Sequence, residues 1–136
     1  MIIRILRISL ILIVFPNYVI ANTDYFKKGL NLFNSKKYEE AKFKFEQDIV
    51  FNPKNEMSYL YLAKIFKNME KRKLEEQNLN TVILLNPNNE EAVYSLAKLK
   101  LDLSDYKKSK ELNDRLSNLC IKFCNKSKML EIEIDN

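Results

Sequence analysis

Apolar and polar positions along residues 22–120 follow a helical rhythm that restarts at a fixed interval. The stretches DIVFNPKN and ILLNPNN place Pro53 and Pro87 34 residues apart, each behind an asparagine and an apolar run. With the two prolines superposed, the chain divides into units 22–55, 56–89 and 90–120. Position 4 of the units is Tyr25, Tyr59 and Val93; position 8 is Gly29, Ala63 and Ala97; position 30 is Phe51, Leu85 and Leu119. Ala41 and Ser109 hold position 20 of the first and third units, and Phe45 and Leu79 hold position 24 of the first two. Large residues at helical spacing fill a seam, and small ones at positions 8 and 20 let two helices approach closely. Each unit is predicted to be a helix, a turn and a second helix. Asn-Pro ends the second helix, because the residue before a proline is pushed out of the helical region.

A recurrence of this length marks stacked helical hairpins. The motifs Gly29 with Tyr38-Glu39-Glu40-Ala41, Tyr59-Leu60-Tyr61-Leu62-Ala63, and Leu96-Ala97 with Asp105-Tyr106 and Ser109, together with both Asn-Pro stops, resemble the tetratricopeptide repeat. The resemblance covers residues 22–120. It implies an all-α chain, an α-solenoid of three antiparallel helix-turn-helix repeats. Lys28 departs from the pattern at an apolar position, and so does Asn113 where a large side chain is expected. Glu75 replaces the small residue at position 20 of the second unit, which predicts a splayed hairpin. The third unit has Ile121 in place of proline. With no stop there, Leu112, Leu116, Leu119, Phe123, Leu130 and Ile134 predict a final helix that either runs well past residue 120 or breaks near Asn125 and resumes. Residues 121–136 would then be a helical extension capping the last repeat.

The remaining composition narrows the function. One glycine in 136 residues argues against a many-stranded β fold. Histidine is absent, which removes the commonest general base and metal ligand. No phosphate loop, metal-ligand cluster or cofactor motif is present. The acid pairs Glu39-Glu40, Glu75-Glu76 and Glu90-Glu91 are helix neighbours about 100° apart, so they solvate helices rather than converge on a substrate. An enzyme is therefore not expected, nor is any cofactor or metal. Residues 1–21 carry Arg4 and Arg7, an apolar run from Ile8 to Phe15, a breaker at Pro16 and Val19-Ile20-Ala21. This is the pattern of a signal peptide cut after Ala21, with an uncleaved N-terminal anchor as the alternative. Either places the remainder outside the cytoplasm, in a bacterial periplasm or cell envelope, with membrane contact only through an uncleaved segment. Without those residues the chain has 21 basic and 18 acidic groups, a surplus too small and too dispersed for nucleic acid.

Cys120 and Cys124 are the only cysteines. Four apart on a helix, their Cα atoms would lie roughly 6 Å apart, within disulfide range. In an oxidising compartment three readings stay open: a structural disulfide, two small apolar residues, or a thiol-handling or intermolecular pair.

In the repeat family the first helix of each unit lines a groove. The resemblance places Phe26, Leu30 and Phe33, then Met57, Leu60, Lys64 and Lys67, then Tyr94, Lys98 and Leu101 on that groove, apolar at one end and lysine-lined in the middle. Alternatively Phe26, Leu30 and Phe33 pack inward and the lysines are only solvated. The family's carboxylate clamp for chaperone tails would need basic residues and asparagines where this chain has Phe26, Leu30, Tyr61, Glu91 and Ser95, which argues against that ligand. Three functions follow in order: a non-enzymatic module binding a partner polypeptide as a scaffold or assembly factor; a structural component that pairs with a second copy of itself, forming a homo-oligomer; and an envelope thiol-handling factor using Cys120 and Cys124.

Overall fold

The computed structural model describes residues 24–135, so the expected signal peptide or anchor lies outside the described residues. Seven helices are present among them: α1 (Tyr25–Asn34), α2 (Tyr38–Phe51), α3 (Glu56–Asn68), α4 (Arg72–Leu85), α5 (Glu90–Asp102), α6 (Tyr106–Leu119) and α7 (Cys124–Asp135). Among these residues there is no strand, and no helix is long and apolar enough to cross a membrane. Helices pair as α1/α2, α3/α4 and α5/α6, each second helix packs on the next first helix, and α7 lies against α6 and α5.

Each hairpin turns without glycine. Lys36, Glu70 and Ser104 occupy the same place in the three units and share φ values of 58°, 57° and 60°. The N–H of each bonds the carbonyl three residues back, and the next N–H bonds the carbonyl five back, as in Lys36 to Phe33 and Lys37 to Leu32. That paired pattern is the Schellman ending of a helix, whose left-handed position is ordinarily glycine.

The joints between units differ from one another. Asn52 and Asn86 end α2 and α4, and Asn55 and Asn89 cap α3 and α5 through their side chains. At the first joint buried Asp48 accepts from Asn52 Nδ2 at 3.0 Å, Asn55 Nδ2 at 2.6 Å and Ser58 Oγ at 2.6 Å. At the second, Asn86 Nδ2 donates to Glu56 Oε1. At the third, Cys120 stands in the place of Asn52 and Asn86, Cys124 in the place of Glu56 and Glu90, and a disulfide joins them. The α6 helix stops at Leu119, and α7 starts at Cys124. The expected break is thus present but falls at residues 120–123, ahead of Asn125. The cysteines consequently close a turn between helices with their Cα atoms 5.1 Å apart, rather than sharing one helical face.

Two apolar clusters hold the stack. Phe45 and Ala41 pack with Leu62, Ile65 and Phe66, and a larger cluster runs from Leu60 and Leu79 through Val93, Leu96 and Leu116 to Leu130 of α7. Gly29 provides the seat for Phe45: a Cβ at that position would lie 2.7 Å from the ring's Cε1. Lys28 is exposed on α1, the first of the described helices. Asn113 fills its apolar-type position by bonding α7, donating to the Ser127 carbonyl at 3.1 Å and accepting from Ser127 Oγ at 2.9 Å. Glu75 does not splay its hairpin. The residue is 2% exposed, and Ala63 and Leu79 on either side of it remain buried in the α3/α4 seam.

Candidate groove on the first-helix face

Successive first helices touch one another, so α1, α3, α5 and α7 form one face of the molecule. Tyr61 of α3 meets Phe33 and Phe26 of α1 edge-on at 5.0 and 6.0 Å and stacks on Phe45 at 5.2 Å. Lys64 of α3 pairs with Glu91 of α5 at 2.8 Å and lies 4.7 Å from the Tyr61 ring. Lys98 of α5 pairs with Glu133 of α7 and reaches Asp102 at 3.9 Å. Tyr94 of α5 lies 5.7 Å from Phe123, with the Lys126 ammonium over both rings.

The structure brings the sequence-derived groove residues onto this face, with different degrees of presentation. Phe26, Leu30, Phe33, Met57, Tyr94 and Leu101 are half-buried: they pack on the core and still show surface. The two readings for the α1 aromatics therefore merge. Leu60 is 1% exposed; it belongs to the core and reaches the face only through a pocket wall. Lys64 and Lys98 are committed to intrachain acids. Lys67 is exposed and has no ion-pair partner within 4 Å among the described residues. Sequence reasoning missed Phe123, Lys126 and Glu133. Carrying the 34-residue register one step beyond Glu90 reaches Cys124 and would have marked α7 as a fourth first-type helix.

Glu90 organises the end of the face. Its carboxylate accepts from the N–H groups of Ile121 at 2.9 Å, Lys122 at 2.9 Å and Phe123 at 2.7 Å, which are the otherwise unbonded donors ahead of α7. Partial burial would raise its pKa, but those three donors prevail and hold it below the ordinary value of 4.5. Glu75 behaves oppositely: burial raises its carboxyl above that value, against the pull of Lys67 and Arg72. No group of three or more His, Cys, Asp or Glu able to hold a metal occurs among the described residues.

Comparison with solved structures decides what this stack is. The TPR2B domain of yeast Sti1, in a complex with pHsp70, superposes with a TM-score of 0.76 at 15% identity, covering 82% of this chain and 93% of that one. The fold is the tetratricopeptide-repeat solenoid. The repeat domain of Arabidopsis OM64 gives 0.73 at 20% identity, over 82% and 91% of the two chains. The Yersinia enterocolitica type III secretion chaperone SycD, in complex with a peptide of the translocator YopD, gives 0.73 at 15% identity over 82% and 87%. No family model and no curated protein matches the sequence. At these identities the tetratricopeptide likeness establishes architecture, and the chemistry of the groove has to be read from this chain's own residues.

Proposed function

We propose that this chain is a non-enzymatic binding module that holds a partner polypeptide across the α1/α3/α5/α7 face, as a scaffold or assembly factor in the cell envelope. The observation that carries the reading is the composition of that face: half-exposed Phe26, Phe33 and Tyr61 at one end, and a lysine-bearing middle in which Lys67 alone lacks an ion pair among the described residues. Apolar anchor sites beside polar groups are the makings of a peptide interface. Support for a peptide ligand also comes from neighbours solved in complex with peptides, among them SycD with its YopD peptide and the first repeat domain of RPAP3 bound to the HSP90 peptide SRMEEVD. The latter's acidic C-terminus is not the ligand proposed here, because Phe26, Leu30, Tyr61, Glu91 and Ser95 offer no clamp for it. The partner supplies apolar anchors for the aromatic end and an acidic group for Lys67. The envelope location rests on the pattern of residues 1–21.

Cross-linking in cells with the chain as bait tests the reading. One polypeptide should be recovered repeatedly, at least fivefold less with Lys67→Glu. Equal recovery with both baits overturns the groove. Lys67 is preferred because reversing Lys64 or Lys98 strands Glu91 or Glu133; since Lys67 also offsets buried Glu75, circular dichroism must show Lys67→Glu folded, and Lys67→Gln should show a smaller loss of recovery. N-terminal sequencing of the envelope fraction should find Asn22 first or, for an anchored chain, Met1. Recovery only from the cytoplasm removes the envelope reading.

A further inference from the structure

A recess in the middle of this face lies between α3 and α5, beside Lys67. It is a small recess of about 20 Å³, in part open to solvent, lined by Leu60, Ala63, Lys64, Lys67, Glu75, Leu79 and Ser95. A water needs roughly 10–15 Å³ of such space and small-molecule sites run to roughly 300–1,000 Å³, so this recess admits only the polar tip of one side chain. Its unusual wall is Glu75, a carboxylate at a position that Ala41 and Ser109 fill with small side chains in the other repeats. Glu75 Oε2 is buried and has no hydrogen-bond partner among the described residues; Arg72 Nη1 pairs with it electrostatically at 3.7 Å, too far for a hydrogen bond. A buried acceptor left unpaired is costly, and a carboxylate more so than a neutral oxygen.

Which group would complete it follows from size and charge. An apolar side chain would leave Oε2 unpaired and further desolvated. A lysine or arginine would meet cations already in place: Lys67 in the wall and Arg72 at the carboxylate, with Lys64 also lining the pocket. Another carboxylate would face Glu75 itself. A neutral donor avoids all three penalties and can use the Ser95 hydroxyl on the α5 side as a second polar contact.

We infer that this pocket is a specificity site for a neutral hydrogen-bond donor, a hydroxyl or carboxamide side chain (Ser, Thr, Asn or Gln) on the bound polypeptide, received by Glu75 Oε2. The inference rests on the groove binding a polypeptide, and it adds which side chain the centre of the groove selects.

The test is a random heptapeptide display library panned on the full chain and on Glu75→Ala. That variant restores the small residue of the neighbouring repeats and should fold at least as well, which circular dichroism checks. The wild-type chain should enrich peptides with one position favouring Ser, Thr, Asn or Gln about tenfold over Ala, and Glu75→Ala should lose that preference. Enriched peptides with no such position, or the same preference in both proteins, overturn the inference and leave the groove standing. If neither protein enriches any peptide, the groove reading fails, and a second measurement still judges the pocket: acetamide titrated into each protein and followed by amide NMR. Saturating shifts at Ala63 and Ser95 in wild type but not in Glu75→Ala support a donor site. Identical shifts in both, or none, mean the recess holds only water, and the proposal falls.

Discussion

Gly29→Ala is the substitution for which the structure sets two known effects against each other. Gly29 lies inside α1, where alanine would favour the helix by roughly 1 kcal/mol. The added Cβ would meet Phe45 at 2.7, 2.9 and 3.0 Å from three ring atoms. That ring cannot yield cheaply: it is fully buried, stacked on Tyr61 and tilted against Phe26 at 5.8 Å. Forcing a methyl into such a site costs typically 1–3 kcal/mol, so it outweighs the propensity gain and leaves a net loss of about 1 kcal/mol. For a chain of this size that lowers Tm by roughly 3–5 °C. The same change in a Phe45→Leu background should reverse sign, since the clash is relieved and the propensity gain remains. Urea denaturation followed by circular dichroism on wild type, both single variants and the double variant closes the cycle. A Gly29→Ala protein more stable than wild type, or a cycle with no coupling, would refute the account of how α1 seats on α2.

Three further outcomes follow from the turns and joints. Ser104→Gly and Glu70→Gly should each raise the urea midpoint, by about 0.5–1 kcal/mol of stability, because glycine occupies the left-handed region without strain; unchanged midpoints would mean that these turns carry no strain. Glu90 has a lowered carboxyl pKa, so its contribution is complete above pH 4.5 and is lost as pH falls through the lower folded value; protection of the Ile121–Phe123 amides, measured as exchange relative to their intrinsic rates at each pH, should therefore fall on acidification in wild type and already be reduced at neutral pH in Glu90→Gln. Opening the disulfide, by reductant or by the double variant Cys120→Ser/Cys124→Ser, releases a very short loop and should lower stability by about 2 kcal/mol; exchange in α7 should rise before that in α1–α4, and a uniform rise would place the bond's effect elsewhere.

Most of the architecture was legible from a few residues. Pro53 and Pro87 act locally, on the residue just before them, so the helix ends they dictate can be read without tertiary knowledge. Gly29, Ala63 and Ala97 give the spacing that brings paired helices together. The end of α6 was harder, because its stop is not local: Glu90 reaches the N–H groups of Ile121–Phe123 from more than thirty residues away, and the Cys120–Cys124 bond does the work of a proline. The glycine-free turns hid for a similar reason, since nothing in Lys36, Glu70 or Ser104 as residue types announces a left-handed backbone. Within the groove the lysines were visible, but not which of them an acid on the next helix had already claimed. Asn113 looked like a flaw until Ser127 appeared opposite it. Leu60 shared its helical phase with surface residues, and only the packing of Leu79 and Ala63 against it shows that it is core.

The three joints that link one hairpin to the next are fastened by three different materials: a buried aspartate that gathers amides and a hydroxyl, a carboxylate that takes a single amide, and a covalent sulfur bridge with a carboxylate beneath it. A solenoid of identical joints would loosen everywhere at once under a given insult. In this chain a reductant would break the sulfur bridge of one joint, leaving its carboxylate bonds and the other two joints in place, so loosening should begin at the C-terminal end. Copies of its units could not be shuffled or duplicated without losing a fastening, which makes the order of the repeats as much a part of the design as their number.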